Sequence, residues 1–227
     1  MKYPKTLFHG SPQIVRNPVF GGGNPRNDYG LGFYCTESEE LAAEWACTQG
    51  TDGFINIYYL EMDGLETCRL YPPEYHILNW MAVLLENRTF SVSEGLPAEA
   101  KAFLLERFLP AYRDYDLILG YRADDSYFSF ANAFLSGTIS LEQLQRAMHL
   151  GALGEQIVVR SEKAFGALSF GGVLPVRNVE FYPKRLARDR KAREDFRRIR
   201  AEGDVRDAVY VLDIIRQDWK NDDPRLR

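Results

Sequence analysis

Two short stretches hold the residues whose types and spacing could do chemistry. The first is His9-Gly10-Ser11, at the end of an apolar run. An imidazole can hydrogen-bond a sugar hydroxyl, and a glycine lets its backbone N–H and C=O approach a planar amide closely. The alternative interpretation is structural: a strand-end histidine whose ring is satisfied by a backbone carbonyl.

The second stretch, residues 28–36, reads Asp-Tyr-Gly-Leu-Gly-Phe-Tyr-Cys-Thr. Its glycines, Gly30 and Gly32, precede Tyr34, and glycine within a strand often marks the close approach of a ligand. A bulged edge strand is the alternative. Trp45 follows Tyr34 by 11 residues. If the strand and the following helix pack together, the two aromatic side chains could clamp a flat ring.

The elements that must position these residues can be predicted from apolar spacing and capping pairs. Aromatic and β-branched runs predict strands, and apolar spacings of three and four residues predict helices. The pairs Thr36–Glu39 and Ser140–Gln143 predict capping boxes. The predicted strands are 5–9, 30–35, 54–60, 116–120 and 156–160. The predicted helices are 41–47, 74–86, 98–112, 125–135, 141–149, 184–200 and 205–219. Because these alternate without βαβ regularity, an α+β fold is expected.

Composition limits the class of protein. An apolar share of 45% and a charged share of 26% are typical of soluble domains. The sequence has no run of about 20 apolar residues, which a membrane helix needs, and its first ten residues have no apolar stretch of the length expected in a signal peptide. Three cysteines without CxxC spacing argue against a zinc site and against a disulfide framework. We therefore expect a cytoplasmic protein with no metal centre and no membrane partner.

The net charge of −4 averages unlike segments. Residues 1–176 contain 13 Lys and Arg against 21 Asp and Glu, whereas residues 177–200 contain 10 against 4. The basic segment is interpreted most simply as a solvated helix face. A phosphate-rich partner or an acidic protein surface, including the acidic part of this chain, would also suit it.

Four patterns occur in order along the chain: HGS at 9–11, D-Y-G-x-G-F-Y-x-T at 28–36, D-x-I-x-G-x-x-A-D-D at 116–125, and Q-I-V-x-R-S at 156–161. Taken together, they resemble the ADP-ribosyltransferase superfamily. The likeness is to its diphtheria-toxin and poly(ADP-ribose) polymerase branch, and more closely to a bacterial family of uncharacterised ADP-ribosyltransferase-like proteins. It covers roughly residues 6–170.

The resemblance implies NAD as substrate and a role for each matched residue. His9 would bind the 2′-hydroxyl of the nicotinamide ribose, and the Gly10 backbone, followed by Ser11, would hold the carboxamide. Tyr34 would stack under the nicotinamide ring, with Trp45 as the second aromatic residue. Gln156 falls where the family's catalytic glutamate is expected. The implied fold is a split antiparallel β-sheet core with flanking helices.

Glutamine at position 156 departs from the family pattern. A carboxylate stabilises the oxocarbenium-like sugar as nicotinamide leaves, whereas glutamine brings neither charge nor a base. This argues against polymer synthesis. Asp28, Asp124 or Asp125 could supply the missing carboxylate, although Asp124 and Asp125 could instead cap the helix over residues 126–135. Glu155 should point to the opposite face of its strand.

Arg26, in the loop before the second stretch, could pair with the diphosphate of a dinucleotide. A solvated loop arginine is the alternative.

The expected function is therefore that of an NAD-dependent mono-ADP-ribosyltransferase acting on a macromolecule or on water. The expected division is an NAD-binding domain over 1–175 and a basic helical extension over 176–227. By analogy with the family, the protein would be a toxin restrained by a small partner protein. A binding module for NAD or ADP-ribose is the main alternative. A relative of RNA 2′-phosphotransferases is disfavoured, since residues 1–176 are acidic.

Overall fold

The computed structural model describes residues 4–89, 91–123, 127–152, 154–202 and 207–226. Asp124 and Asp125 lie outside these ranges. The strands of the described residues are β1 (Lys5–Ser11), β2 (Phe33–Cys35), β3 (Gly53–Leu60), β4 (Thr67–Arg69), β5 (Leu117–Tyr121), β6 (Glu155–Val159) and β7 (Leu168–Val176). The α-helices are α1 (Glu39–Ala46), α2 (Ile77–Asn87), α3 (Leu96–Phe108), α4 (Tyr127–Leu135), α5 (Leu141–Ala147), α6 (Glu162–Gly166), α7 (Asn178–Ala201) and α8 (Val211–Arg216). Short 3₁₀ turns occupy Leu150–Ala152 and Pro224–Leu226. The fold is mixed α+β, as predicted.

The first sheet is antiparallel, with strand order β1-β3-β7. The aromatic and β-branched run predicted as a strand over 54–60 becomes β3, the central strand of this sheet. Its register shifts between Ile57 and Tyr58 opposite β7. β7 was not predicted, because Gly171, Gly172 and Pro175 interrupt its sequence. An edge strand tolerates such residues.

The second sheet has strand order β2-β6-β5-β4 and is not wholly antiparallel. β2 and β5 both pair antiparallel with β6, but β4 pairs parallel with β5. The β4 strand thus departs from the antiparallel arrangement expected for the core. A backbone bridge between Phe8 and Thr36 connects β1 to the end of β2.

The predicted capping box at Thr36 and Glu39 was wrong. Ser38 is the N-cap of α1, and its side chain accepts a hydrogen bond from the Leu41 N–H. Thr36 lies in the bridge to β1 instead, where its backbone N–H and C=O both hydrogen-bond to the backbone of Phe8. The second predicted capping box, Ser140 with Gln143, is confirmed at the start of α5.

Helix α1 packs directly on β1 at Gly10. A Cβ atom placed on Gly10 would lie 1.9 Å from the carbonyl oxygen of Ala42 in α1. The helix backbone and the strand backbone are therefore in contact, which only glycine permits here. Small side chains on α1, with Ile55 and Val176, form the apolar cluster under this contact.

The basic helix α7 is longer than predicted, since it begins at Asn178 and includes Pro183. The helix was predicted from Lys184, and Pro183 lies within its first two turns. In the second half of the helix Ala192, Phe196 and Ile199 are buried, and most of the basic side chains are exposed. This pattern fits the interpretation as a solvated face supported by an apolar stripe.

By contacts, the chain divides into two compact units that interleave in sequence. The first comprises residues 1–69, 112–122 and 154–188, and holds both sheets; the second comprises 70–111, 123–153 and 189–227, and is helical. The expected division at residues 175 and 176 remains a prediction about independently folding domains. No helix within the described ranges is long and apolar enough to cross a membrane.

Candidate functional site

The three widely separated residues singled out from the sequence lie on three strands of the first unit. His9 is on β1, Tyr34 is on β2 and Gln156 is on β6. The His9 ring and the Tyr34 backbone are in direct contact, since Nδ1 of His9 lies 2.7 Å from the Tyr34 carbonyl oxygen. This is the carbonyl bond that the structural interpretation of His9 predicted, and it also has a chemical consequence.

That hydrogen bond fixes which nitrogen of His9 carries the proton. A carbonyl oxygen only accepts, so Nδ1 must be the donor and Nε2 is left as the acceptor of a neutral ring. Burial lowers the pKa of His9, and the bond to Tyr34 opposes this only in part. The ring packs against Phe33, with ring centroids 4.4 Å apart. His9 is therefore a neutral, oriented hydrogen-bond acceptor at Nε2.

The backbone of Gly10 is the second polar feature of the site. Phe8 uses its N–H and C=O to bond to Thr36, at 2.8 and 2.9 Å, so these groups point away from β3. In an antiparallel pair the direction of the backbone groups alternates, which gives Gly10 the same direction as Phe8. Gly10 lies beyond the end of the bridge. Its N–H and C=O consequently form a donor and acceptor pair on the side of β1 that faces away from β3.

The Tyr34 side chain is anchored at its hydroxyl by the loop that precedes β2. The hydroxyl donates to the Gly30 carbonyl at 2.6 Å and accepts from the Tyr29 N–H at 3.0 Å. Burial, with a smaller contribution from the negative charge of Asp28, raises the pKa of this hydroxyl. Tyr34 is therefore a neutral side chain with a fixed ring, which suits packing rather than proton transfer.

Gln156 and Asp28 form a buried pair, although 128 residues separate them in sequence. Nε2 of Gln156 donates to Oδ2 of Asp28 at 2.8 Å. Each residue is only 4% exposed. Asp28 was one of three aspartates considered as the missing carboxylate, and it is the one that lies against Gln156 in the described structure. Glu155, next to Gln156, is half-buried and lies opposite Tyr121 in the β5–β6 register.

Trp45 lies in α1 with its ring half-buried. The guanidinium of Arg122 sits 4.3 Å from the centroid of its ring, a cation–π contact. The sequence had not pointed to Arg122. The indole Nε1 is buried and has no hydrogen-bond partner in the described part of the chain. Trp45 thus presents an indole N–H donor that a ligand acceptor could satisfy.

The two glycines before Tyr34 have structural roles. Gly30 adopts a φ of 75°, which favours glycine. A Cβ on Gly32 would lie 2.4 Å from a methyl group of Val158, so Gly32 permits close packing of the loop on β6. Ligand approach is not needed to explain either residue.

Three further hydrogen bonds hold together the segments that carry the patterns at 116–125 and 156–161. The Tyr29 hydroxyl donates to the Tyr121 carbonyl at 2.6 Å and lies against Gly120. Asp116 accepts hydrogen bonds from the Ser161 hydroxyl and, at 2.8 Å, from the Glu66 N–H, and these bonds lower its pKa. These contacts fix β5, β6 and the loop bearing Asp28.

The remaining binding candidates predicted from the sequence are Ser11 and Arg26. Ser11 ends β1, and its hydroxyl accepts from the Gln13 N–H at 3.2 Å. Arg26 is exposed in its loop, consistent with the solvated alternative.

Asn56 is a fully buried residue that the sequence did not suggest. Its side chain holds the segment after β1. The amide NH₂ donates to the carbonyls of His9 and Gln13, and the amide oxygen accepts from the N–H of Val15. In the described residues there is no cluster of three or more His, Cys, Asp or Glu that could hold a metal ion.

Comparison with known families gives one match. The family described as "Protein of unknown function (DUF3990)" matches residues 5–170. The chain belongs to this family. All four patterns fall within the DUF3990 match, whereas α7 and α8 follow it. No similar curated protein and no similar solved structure was found.

Proposed function

We propose that the chain is an NAD-dependent mono-ADP-ribosyltransferase with an ADP-ribosyltransferase-like split-sheet core. The proposal unites the sequence resemblance with the arrangement of His9, Gly10 and Tyr34. NAD is its substrate, and ADP-ribose is transferred to a macromolecular acceptor. A toxin role and restraint by a small partner protein belong to the same proposal and rest on the resemblance alone, whereas the proposed cytoplasmic location rests on composition and cysteine usage.

The observation that carries the proposal is the pairing of the His9 acceptor with the adjacent Gly10 backbone. The Nε2 of His9 can accept a hydrogen bond from a ribose hydroxyl. One residue on, the N–H and C=O of Gly10 match the carbonyl and amide of a carboxamide. A nicotinamide riboside joins a carboxamide-bearing ring to a sugar with free hydroxyls. The site thus offers complementary groups to both halves of that molecule.

The reaction that such a site would catalyse breaks the bond between the nicotinamide nitrogen and C1′ of the ribose. The bonding pair leaves with nicotinamide, which departs neutral, and positive charge develops on the sugar. A nucleophilic oxygen or nitrogen of the acceptor then bonds to C1′, and its proton is released to solvent or to a base. Positioning of the ring and stabilisation of the developing charge supply the catalysis.

The aromatic residues would orient the departing ring. The proposed role of Tyr34 is to stack on the nicotinamide. The hydrogen bonds of its hydroxyl to Gly30 and Tyr29 support this role, because they hold the ring in one orientation. Trp45 would cover the ring from the other side, with its indole N–H bonding to an acceptor of the bound ligand. Ser11 and Arg26 would contact the outer parts of the dinucleotide.

The second candidate function is an NAD-binding or ADP-ribose-binding module without turnover. The specific observation in its favour is Gln156, which brings no charge of its own to the position expected for the catalytic glutamate. Transfer of ADP-ribose to water, as in an NAD glycohydrolase, is the variant of the enzyme in which no acceptor is required.

The test is to incubate the purified protein with NAD and measure free nicotinamide, NAD affinity and a mass shift of one ADP-ribose on candidate acceptors. His9→Ala and Tyr34→Ala should lower nicotinamide release at least tenfold. His149→Ala, at an exposed histidine of the second unit, serves as the matched control and should leave release unchanged. Tight NAD binding without release would favour the binding module, and no binding would reject both candidates.

A further inference from the structure

We infer that Asp28 and Gln156 act as one unit in which Asp28 supplies, through Gln156, the negative charge that glutamine lacks. The inference rests on the proposed function and concerns the same site. Gln156 would contact the ribose, and Asp28 would be a positioning residue that acts through it.

The hydrogen bond between them determines how Gln156 is presented. A carboxylate accepts and does not donate when it is ionised, so the amide of Gln156 must turn its NH₂ group toward Oδ2 of Asp28. The amide oxygen is then directed away from Asp28. That oxygen is the only acceptor on this side chain, and it is the group that can bind a ribose hydroxyl.

Burial makes this arrangement electrostatically effective. Both side chains are 96% excluded from solvent, so water screens the Asp28 charge weakly. Hydrogen-bonding to a carboxylate polarises the amide and makes its oxygen a stronger acceptor. The carboxylate also influences Tyr34, since its charge contributes to the raised pKa of the Tyr34 hydroxyl.

The position of Asp28 is fixed by contacts of its loop with strand β5. Tyr29, the next residue, is fully buried, and its hydroxyl bonds to the Tyr121 carbonyl at the end of β5. Gly120 on β5 pairs in register with Gln156 on β6. The loop is therefore tied to the strand that neighbours Gln156, which explains why a residue so distant in sequence reaches it. In this chain, glutamine stands where the resemblance expects glutamate, and the buried aspartate beside it would keep one negative charge in the site.

The test moves the charge between the two positions without changing shape. Asp28→Asn removes the charge, Gln156→Glu adds a second one, and the double variant Asp28→Asn/Gln156→Glu places a single carboxylate at position 156. The exposed Asp63→Asn is the matched control. Each protein is assayed for kcat and KM in nicotinamide release, and its thermal unfolding is compared with that of the wild type.

Asp28→Asn should lower kcat roughly 100-fold, a larger effect than the rise of up to about tenfold that loss of the charge causes in KM for NAD. The double variant should recover kcat to within about tenfold of the wild type. Gln156→Glu places two carboxylates in contact, so its activity should depend on one proton shared between them and change with pH. Wild-type kcat in Asp28→Asn, or a folded double variant as slow as Asp28→Asn, would overturn the inference.

A second measurement keeps the test decisive if turnover is absent. NAD carries a positive nicotinamide ring and NADH a neutral one, so a nearby carboxylate favours NAD. Asp28→Asn should reduce the preference for NAD over NADH roughly five- to tenfold, and the double variant should restore it. An unchanged preference would overturn the inference while leaving the binding proposal intact. Failure of the wild type to bind either dinucleotide would reject the proposed function and this inference with it.

Discussion

The hydroxyl of Tyr29 occupies the space that any side chain at Gly120 would need. A Cβ at Gly120 would lie 2.2 Å from the Tyr29 oxygen, and the same hydroxyl donates to the Tyr121 carbonyl at 2.6 Å. Two segments more than 90 residues apart in sequence are therefore in direct contact. The loop that holds Asp28 depends on this match.

Gly120→Ala should therefore destabilise the protein by roughly 2–3 kcal/mol, because the fully buried Tyr29 ring must move. Urea unfolding measures the loss. The loss should be smaller in a Tyr29→Phe background, since the clashing oxygen is gone. Gly166→Ala, in α6 with nothing within 4 Å of the added methyl, is the control and should be neutral or slightly stabilising. Equal effects of the two substitutions would contradict the steric explanation.

Arg188 and Glu44 give a second prediction. The Glu44 side chain is 3% exposed, and Arg188 binds it through two nitrogens at 2.7 and 3.0 Å. Removing the arginine leaves a buried carboxylate without its cation, so Arg188→Met should cost about 3 kcal/mol. Thermal and urea unfolding would report the change.

The control substitution for Arg188 is Arg190→Ala, at an exposed position two residues along α7, which should change stability by less than about 0.5 kcal/mol. The double variant Glu44→Leu/Arg188→Met should recover much of the stability, because it leaves no buried charge behind. If it were no more stable than Arg188→Met, the loss would come from packing of the arginine stem rather than from the orphaned charge.

His9 gives a prediction about pH. Because burial lowers its pKa, the unfolded chain takes up a proton at His9 before the folded protein does. The free energy of unfolding should therefore fall as the pH decreases from about 6.5, the ordinary histidine value. Protonation in the folded state would also place a proton on Nε2 and remove the acceptor.

For His9, NAD affinity should accordingly persist at pH 6.5 and decline only at lower pH. An NMR titration of the His9 ring, together with NAD binding measured across the same range, checks both statements. His9→Gln, which keeps a polar group without a titrating ring, should bind NAD more weakly at neutral pH and lose the acid decline. A His9 pKa above 6.5 would contradict the argument.

The sequence predicted the elements that depend on local patterns and missed those that depend on distant partners. The strand over 54–60 and the capping box at Ser140 are local, and both are present. The capping box at Thr36 failed because the Thr36 backbone pairs with Phe8, 28 residues earlier, and leaves Ser38 to cap the helix. Local spacing carries no information about that competition.

The candidate site shows the same limit. The resemblance singled out His9, Tyr34 and Gln156, and their shared role stays a prediction, although His9 Nδ1 lies 2.7 Å from the Tyr34 carbonyl oxygen. The pairing of Asp28 with Gln156 could not be predicted, because it depends on how the loop folds against β5 and β6. Likewise, the sequence did not reveal that Gly10 is needed for helix packing as well as for its proposed binding role.

The hydrogen bond between Asp116 and Ser161 belongs to the scaffold of this chain, which is separate from the residues of the proposed chemistry. Asp116, Gly120 and Ser161 hold strands and loops together, whereas His9, Asp28 and Gln156 are the residues to which the proposal assigns roles in binding and chemistry. A relative that keeps the first set and changes the second should fold alike and act differently. Relatives are therefore better grouped by the identities at positions 28 and 156, read as a pair, than by how many of the family patterns they retain.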